Sequence, residues 1–507
     1  MRRLGLGALA GLVAVLAATV VALVLRELGV PLPLETVSDR FLPLLSVDDF
    51  LRLVSEMGGF VAAKRIGFFA FFLSLVGIGV VLGAAYAFAA ARVPARTLRL
   101  VLVGSVLVTW LVLLALLYPA LDSNYRGLPP GQGLVATAAT LLLLLGLLAG
   151  GTALLYAYLT RPPAAFSPGE SPRLGRRPLL LGVAGGALAL AAGGLVTRLY
   201  RGSAIGYDGL ETPARGLTPI TPNDRFYVVT KNFVDPEVKR SLWRLQVNGL
   251  VRDELELSFE ELETMRSVDQ ETTLECISNG VGRGLISNAV WRGVPLGHLL
   301  EAAGIEAGAT RLFARGSDGF AHGLTVAKGM EETTLVAYRM NGEPLPDRHG
   351  FPARLVVPGA YGETSVKWLD RVKVVDEVAK GFYESQGWRA ERVHTMSRID
   401  SPRGFRTLQA GEPVRVNGLA FAGDRGIERV ELSTDGGRSW REAGFDYRGT
   451  RLTWSLWSVE WTPSRGGSYE LAVRATDGEG ALQESKRGSI NPDGATGYHM
   501  VEVKVQA

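Results

Sequence analysis

The sequence predicts three successive bodies. They are an all-α region of five membrane-spanning helices over 1–200, an α+β domain over 204–390, and an all-β sandwich over 394–507. Three observations carry this reading. Long apolar runs almost free of charge fill the first two-fifths of the chain. Short helical and strand patterns mix in the middle, and from residue 394 onward only short alternating strands follow. A length of 507 residues leaves room for about three domains of ordinary size.

The apolar runs are about 4–25, 66–91, 100–121, 134–159 and 178–198. Each is long enough for a helix to cross a hydrocarbon layer of roughly 30 Å. Soluble core helices rarely lack charge on every face over such lengths, and a signal peptide would explain only the first run. Loop charge orients them. A cytoplasmic N-terminus leaves Arg2, Arg3, Arg92, Arg96, Arg99, Arg161, Arg173, Arg176 and Arg177 inside, opposed only by Glu170. The outward loops balance six basic against seven acidic residues. Everything after about Tyr200 is then extracytoplasmic, as expected of a multi-pass protein of a bacterial cell membrane. Arg176-Arg177, followed at once by Pro178-Leu179-Leu180-Leu181, also reads as an internal twin-arginine export signal, a route that carries folded cargo.

The formal charge of +4 resolves into 17 basic and 8 acidic residues over 1–203, and 37 and 42 beyond. The basic excess belongs to membrane loops, which argues against nucleic acid as a partner. Residues 201–222 read as a Gly/Pro/Thr-rich connector lying along a domain surface. The segments 224–233, 243–249, 312–315, 333–339 and 354–357 read as strands, with short amphipathic helices at 259–265 and 296–303. Beyond 394, alternation at 414–418, 427–433, 440–443, 454–457, 468–475 and 500–505, broken by turns such as Asp435-Gly436-Gly437, is the signature of an immunoglobulin-like sandwich.

Cys276 is the only cysteine, so it forms no intrachain disulfide. It ends a short strand, Thr272-Thr273-Leu274-Glu275-Cys276, and faces a loop rich in glycine at Gly280, Gly282 and Gly284, where something bulky can approach the backbone. Thr273, Leu274, Cys276 and Asn279, followed by Asn288-Ala289, Trp291, Gly293-Val294 and Leu296, resemble the metal-ligating stretch of the sulfite oxidase family of molybdopterin enzymes. Two later runs carry the same resemblance: Asn341-Gly342-Glu343-Pro344-Leu345-Pro346 with His349-Gly350-Phe351-Pro352 and Arg354, and Gly362 with Val366-Lys367-Trp368-Leu369. The resemblance implies a Mo-molybdopterin cofactor, tungsten being equally compatible, with Cys276 as the protein's ligand to the metal. It implies that His349 and Arg354 contact the pterin and its phosphate, that Ser365, Val366 and Lys367 close over them, and that Asn232 and Asp318 contact the cofactor. It also implies a homodimer formed through 394–507. A thiolate suits a soft metal, and a guanidinium suits a phosphate because its fork donates two charge-assisted hydrogen bonds.

Departures from the family pattern bear on substrate. Members that handle sulfite or nitrate follow the ligand cysteine with Asn-Arg-Arg, where this chain has Asn279-Gly280-Val281. Lys231 stands in place of an arginine and Phe233 in place of a histidine. Lys231 and Arg283 are therefore the candidate pocket cations. An anion site short of one arginine predicts weak sulfite oxidation with a high KM, and better activity on a neutral or singly charged substrate.

None of the five histidines lies in an apolar run, so this chain has no pair to hold a transmembrane b-type haem. One cysteine supports neither c-type haem attachment nor an iron–sulfur cluster. Electrons then pass to or from a separate protein such as a c-type cytochrome. The expected function is membrane-anchored oxygen-atom transfer with a small substrate. Alternatives are a sulfoxide reductase of the methionine-sulfoxide type on the same fold, and a non-catalytic receptor or assembly module.

Overall fold

The computed structural model describes all residues except 125, 129–130, 162–175, 215, 378–379 and 404–406. The chain divides into two units. One comprises residues 1–42, 54–206 and 232–236, the other 43–53, 207–231 and 237–507.

Seven helices precede the first strand among the described residues: α1 (Arg2–Glu27), α2 (Pro33–Phe41), α3 (Val47–Glu56), α4 (Phe60–Ala90), α5 (Ala95–Leu117), α6 (Gln132–Thr160) and α7 (Arg176–Arg201). Five of them, all but α2 and α3, are long and apolar enough to cross a membrane, with mean hydropathy from 2.1 to 2.8 over their best windows. α1 runs beside α4 at very short range. A Cβ on Gly11 would sit 2.0 Å from the Gly79 carbonyl oxygen, and one on Gly83 2.1 Å from that of Gly7. Glycines four apart on each helix thus let two backbones touch, as in lipid-embedded helix pairs. In the last turn of α1, Arg26 forms a buried ion pair with Glu35 at 3.2 Å, and Glu35 also accepts from the Leu32 N–H at the start of α2. Residues 232–236 belong to this unit: the Lys64 ammonium donates to the Asn232 carbonyl, and Phe233 packs with Phe68 and Leu199. The loop 26–65, read as a plain connection, therefore holds two helices. Pro33 at the first turn of α2, with Glu35 reaching back to the Leu32 N–H, is the capping chemistry that starts it.

In the second unit, β1 (Arg244–Gly249), β2 (Leu255–Ser258), α8 (Phe259–Thr264), β3 (Val268–Glu275), β4 (Ile286–Pro295), α9 (Leu296–Ala303), β5 (Arg311–Gly316), β6 (Ala321–Thr325), α10 (Val326–Met330), β7 (Leu335–Met340), β8 (Glu343–Pro344), β9 (Arg354–Val356) and β10 (Leu369–Val375) build two sheets. Their orders are β2-β1-β10-β5-β6 and β3-β4-β7-β8, with β9 also on β7. Leu245, Leu262, Leu299, Leu312 and Leu355 fill the main core.

The segment 224–233, read as a strand, makes a single bridge among the described residues, Leu210 to Val228. Arg225 and Phe226 N–H donate to the Pro222 carbonyl in a turn, and two further amides go to side chains. Tyr227 N–H donates to Ser287 Oγ and Thr230 N–H to Asp208 Oδ1. Phe226, Tyr227 and Val228 are buried in succession, so the segment lacks the alternation of a half-buried strand.

The C-terminal part is β-rich: β11 (Met396–Ser401), β12 (Thr407–Gln409), β13 (Val414–Phe421), β14 (Ile427–Ser433), β15 (Arg441–Glu442), β16 (Gly444–Tyr447), β17 (Ser455–Trp461), β18 (Gly467–Asp477) and β19 (His499–Gln506). They form sheets β11-β13-β17-β16 and β12-β19-β18-β14-β15 around a shared core that includes Val416, Val430, Trp457, Leu471 and Val503. Residues 43–53 pack here too. Val47 joins a cluster with Ile277, Tyr361 and Trp388, the Pro43 carbonyl accepts from Ser385, and Asp48 accepts from Asn491.

Candidate active site

Cys276 follows the last residue of β3, an edge strand whose open side is covered by the β-rich part. Thr273 N–H donates to the Leu452 carbonyl at 3.1 Å, and Trp454 N–H to Thr273 Oγ1 at 2.9 Å. The loop beyond is closed by Asn279. Its side chain accepts from Leu285 N–H at 2.9 Å and donates to Glu275 Oε1 at 2.8 Å, while Cys276 N–H donates to the Leu285 carbonyl. Gly282, at φ +80°, lies against the His499 ring, where a Cβ would meet Nε2 at 2.4 Å. Buried Arg398 of β11 donates to the Arg283 carbonyl. The strand and loop that present the thiol are thus held from two sides.

The Cys276 thiol is 8% exposed and meets Ser278 Oγ at 3.0 Å. Burial, with the Glu363 carboxylate adding, pushes it up to about 12 against the opposing hydrogen bonds to Ser278. Two carboxyls flank it. Burial raises Glu275 to about 8 and Glu363 to about 7. Burial raises Tyr227, with the Cys276 charge adding and the Arg354 charge opposing. Burial likewise raises Tyr383, again with Cys276 adding.

A second knot lies around Arg354, which is 5% exposed and stacked over Trp291 with 5.1 Å to the ring centre. Its guanidinium donates to the carbonyls of His349 at 3.0 Å, Ser365 at 2.9 Å and Leu355 at 3.2 Å. Burial lowers it to about 10. His349 donates through Nε2 to the Asn223 carbonyl, and burial drops it to about 3, so it is neutral. Ser365 Oγ accepts from Val357 N–H, the Val366 carbonyl accepts from Leu355 N–H, and the Lys367 ammonium reaches the Arg348 carbonyl. His349, Arg354, Ser365, Val366 and Lys367 therefore come together as one cluster.

The pocket cations fare differently. The Lys231 ammonium donates to the Asp318 carbonyl at 3.0 Å and lies 4.0 Å from its carboxylate, both side chains buried. Arg283 is 68% exposed and pairs with Glu211 at 2.8 Å. Asn232 lies in the helical unit, its amide donating to Asp235. Sequence reasoning passed over Glu275, Glu363, Tyr227 and Tyr383. For the first two a signal existed: each is an acidic residue inside a run of otherwise apolar or small residues that the fold buries.

Residues 232–383 match the oxidoreductase molybdopterin binding domain, and 391–506 the Mo-co oxidoreductase dimerisation domain. The chain is 33% identical over 314 residues to the mitochondrial sulfite oxidase of Homo sapiens, covering 52% of this chain and 57% of that protein. To the sulfite oxidase of Arabidopsis thaliana it is 31% identical over 352 residues, covering 56% and 88%. The crystal structure of the sulfane dehydrogenase SoxCD from Paracoccus pantotrophus superposes with a TM-score of 0.53 at 27% identity, over 59% of this chain and 86% of that one. The chain thus spans little more than half the length of the human relative. It belongs to the sulfite oxidase family of molybdopterin-dependent oxidoreductases.

Proposed function

We propose that this chain is a membrane-anchored, extracytoplasmic molybdopterin oxidoreductase that moves an oxygen atom to or from a small substrate. Cys276 carries the proposal. It is a lone buried thiol, and among the described residues no group of three His, Cys, Asp or Glu is placed to hold a metal ion. A metal on this thiol must bring its other ligands with it, which suits an organic metal cofactor. The donors fit such a group. Arg354 is a buried cation whose described hydrogen bonds all go to carbonyls, so a phosphate would supply the missing counter-charge. When bound, the molybdenum–pterin group supplies two-electron redox chemistry and a site for the transferred oxygen.

The protein's own part is to hold and insulate. Cys276 offers the soft ligand, Arg354, His349 and Lys367 the polar cradle with Ser365 and Val366 closing it, and Asp318 an acceptor at its edge. Trp291, Phe226 and Leu274 keep water out beneath the thiol. Lys231 and Arg283, the cations expected to receive substrate, are paired with Asp318 and Glu211. The three relatives described above are named for sulfite and sulfane sulfur, so sulfur compounds come first in a screen. Purified protein is expected to carry about one molybdenum per chain and to turn over at least one sulfur substrate with a dye mediator. Metal-loaded protein inert towards sulfite, thiosulfate and sulfoxides alike would leave the receptor or assembly alternative standing. The pairing of Lys231 with Asp318 favours the sulfoxide reductase alternative over sulfite oxidation.

The same reading places residues 204–390 as the catalytic domain and 394–507 as an immunoglobulin-like sandwich that pairs two copies, electrons passing to a separate redox protein such as a cytochrome. The arginine-rich inner loops support a cytoplasmic N-terminus. Arg176 and Arg177 open α7, and residues 171–175 of the proposed export signal lie outside the described residues. Protease added to intact spheroplasts should cleave within 204–507, and complete protection of that segment would overturn the orientation.

A further inference from the structure

We infer that Glu363 selects the substrate of this site, disfavouring dianions and admitting neutral or cationic molecules. The inference rests on the oxidoreductase reading above and concerns a residue to which the resemblance gives no role.

The placement is specific. The short turn Gly362–Thr364 packs across the end of β3 on both sides of the thiol. A Cβ on Gly362 would lie 3.2 Å from the Glu275 carbonyl and 2.2 Å from the Tyr227 hydroxyl, so the turn and the strand end are in contact. One residue beyond Cys276, the Ile277 N–H donates to Glu363 Oε2 at 3.4 Å. The other oxygen, Oε1, is buried and has no hydrogen-bond partner among the described residues. Two backbone N–H groups, its own and that of Ile277, oppose the burial of this carboxyl. Its charge is felt by Cys276, Glu275, Tyr227 and Tyr383, the groups that surround the thiol.

The cations nearby do not compensate it. Lys231 is held by Asp318, Arg283 by Glu211, and Arg354 is directed at three carbonyls. A dianion seated beside Cys276 would share a low-dielectric space with a carboxyl that must either repel it or take up a proton. A neutral molecule meets no such opposition, and one that carries an N–H or O–H donor gains Oε1 as an acceptor. The unpartnered oxygen thus works as a filter on charge, acting against anions.

The test uses the cofactor-loaded full chain with Glu363→Gln, and with Glu363→Asp as the variant that keeps the charge. Binding and turnover are compared: the dissociation constant of sulfate, a non-reacting dianion, by calorimetry, and the KM and kcat for sulfite and for dimethyl sulfoxide. In Glu363→Gln, sulfate binding should tighten and sulfite KM fall by roughly 10–100-fold, since like charges brought together across a desolvated contact oppose binding on that scale. kcat for sulfite should move less than KM, and the KM for dimethyl sulfoxide should move less than about threefold. Glu363→Asp should stay near the parent protein. Sulfate and sulfite constants unchanged in Glu363→Gln would overturn the inference, as would loss of molybdenum from Glu363→Gln with retention in Glu363→Asp, which would make the carboxyl a cofactor-holding group. Tight sulfite binding by the parent protein would overturn it too, while leaving the oxidoreductase reading intact. Tightened sulfate binding in a protein that oxidises and reduces nothing would support the filter and sink the activity.

Discussion

Replacing Cys276 by serine should abolish turnover and deplete molybdenum while leaving the fold standing. A neutral hydroxyl is a poor ligand for a soft metal, and no second cysteine can take its place. The structural effect should be small. Ser278 Oγ, 3.0 Å from the sulfur, can pair with the new hydroxyl, so the penalty for a buried polar group should stay near about 1 kcal/mol. Melting temperature, metal content and dye-coupled turnover measured on one preparation separate these effects. Retained turnover with bound molybdenum would remove Cys276 from the site.

Arg354→Lys should be the next most damaging change, and through a different route. An ammonium keeps the charge but cannot span the carbonyls of His349, Ser365 and Leu355 at once. Each charge-assisted bond lost is worth about 1.5–3 kcal/mol, so cofactor retention should fall by roughly 10–100-fold. The unpaired carbonyls should also lower the melting temperature by a few degrees, at about 2–4 °C per kcal/mol for a body of this size. Pterin released on denaturation, measured by its fluorescence, reports retention directly. Parent levels of pterin and molybdenum in Arg354→Lys would show that the fork geometry is dispensable.

Local pattern was informative where neighbours in sequence are neighbours in space. The helix read at 296–303 is α9 to the residue, because its apolar spacing and its Gly304 stop are both local. The apolar run read at 66–91 is the greater part of α4, which begins six residues earlier. Hydropathy ends at Lys64 and Arg65, whereas helical hydrogen bonding continues through them. The site was less legible. Arg283 sits seven residues from Cys276 and was read as a pocket cation, yet Glu211, remote in sequence, takes its charge. Lys231 is similarly claimed by Asp318. Glu363 became visible as a carboxyl with one unpartnered oxygen among the described residues only once the turn that carries it was placed against the end of β3. Such pairings are set by tertiary contacts between distant segments, and composition or periodicity holds no record of them.

The grouping of residues 43–53 with the second unit has a consequence for counting. A chain that threads a planar barrier changes side at every passage, so two stretches that touch must be separated by an even number of passages. Between residue 53 and residue 207 lie α4, α5, α6 and α7, four in all. The contacts of Pro43 with Ser385 and of Asp48 with Asn491 therefore obey this rule if each of those helices passes through a bilayer once. Were one of the four to turn back within the bilayer, the parity would become odd and these residues would face each other across the lipid. The rule uses no charge at all, so it is independent of the loop arginines on which the proposed orientation rests.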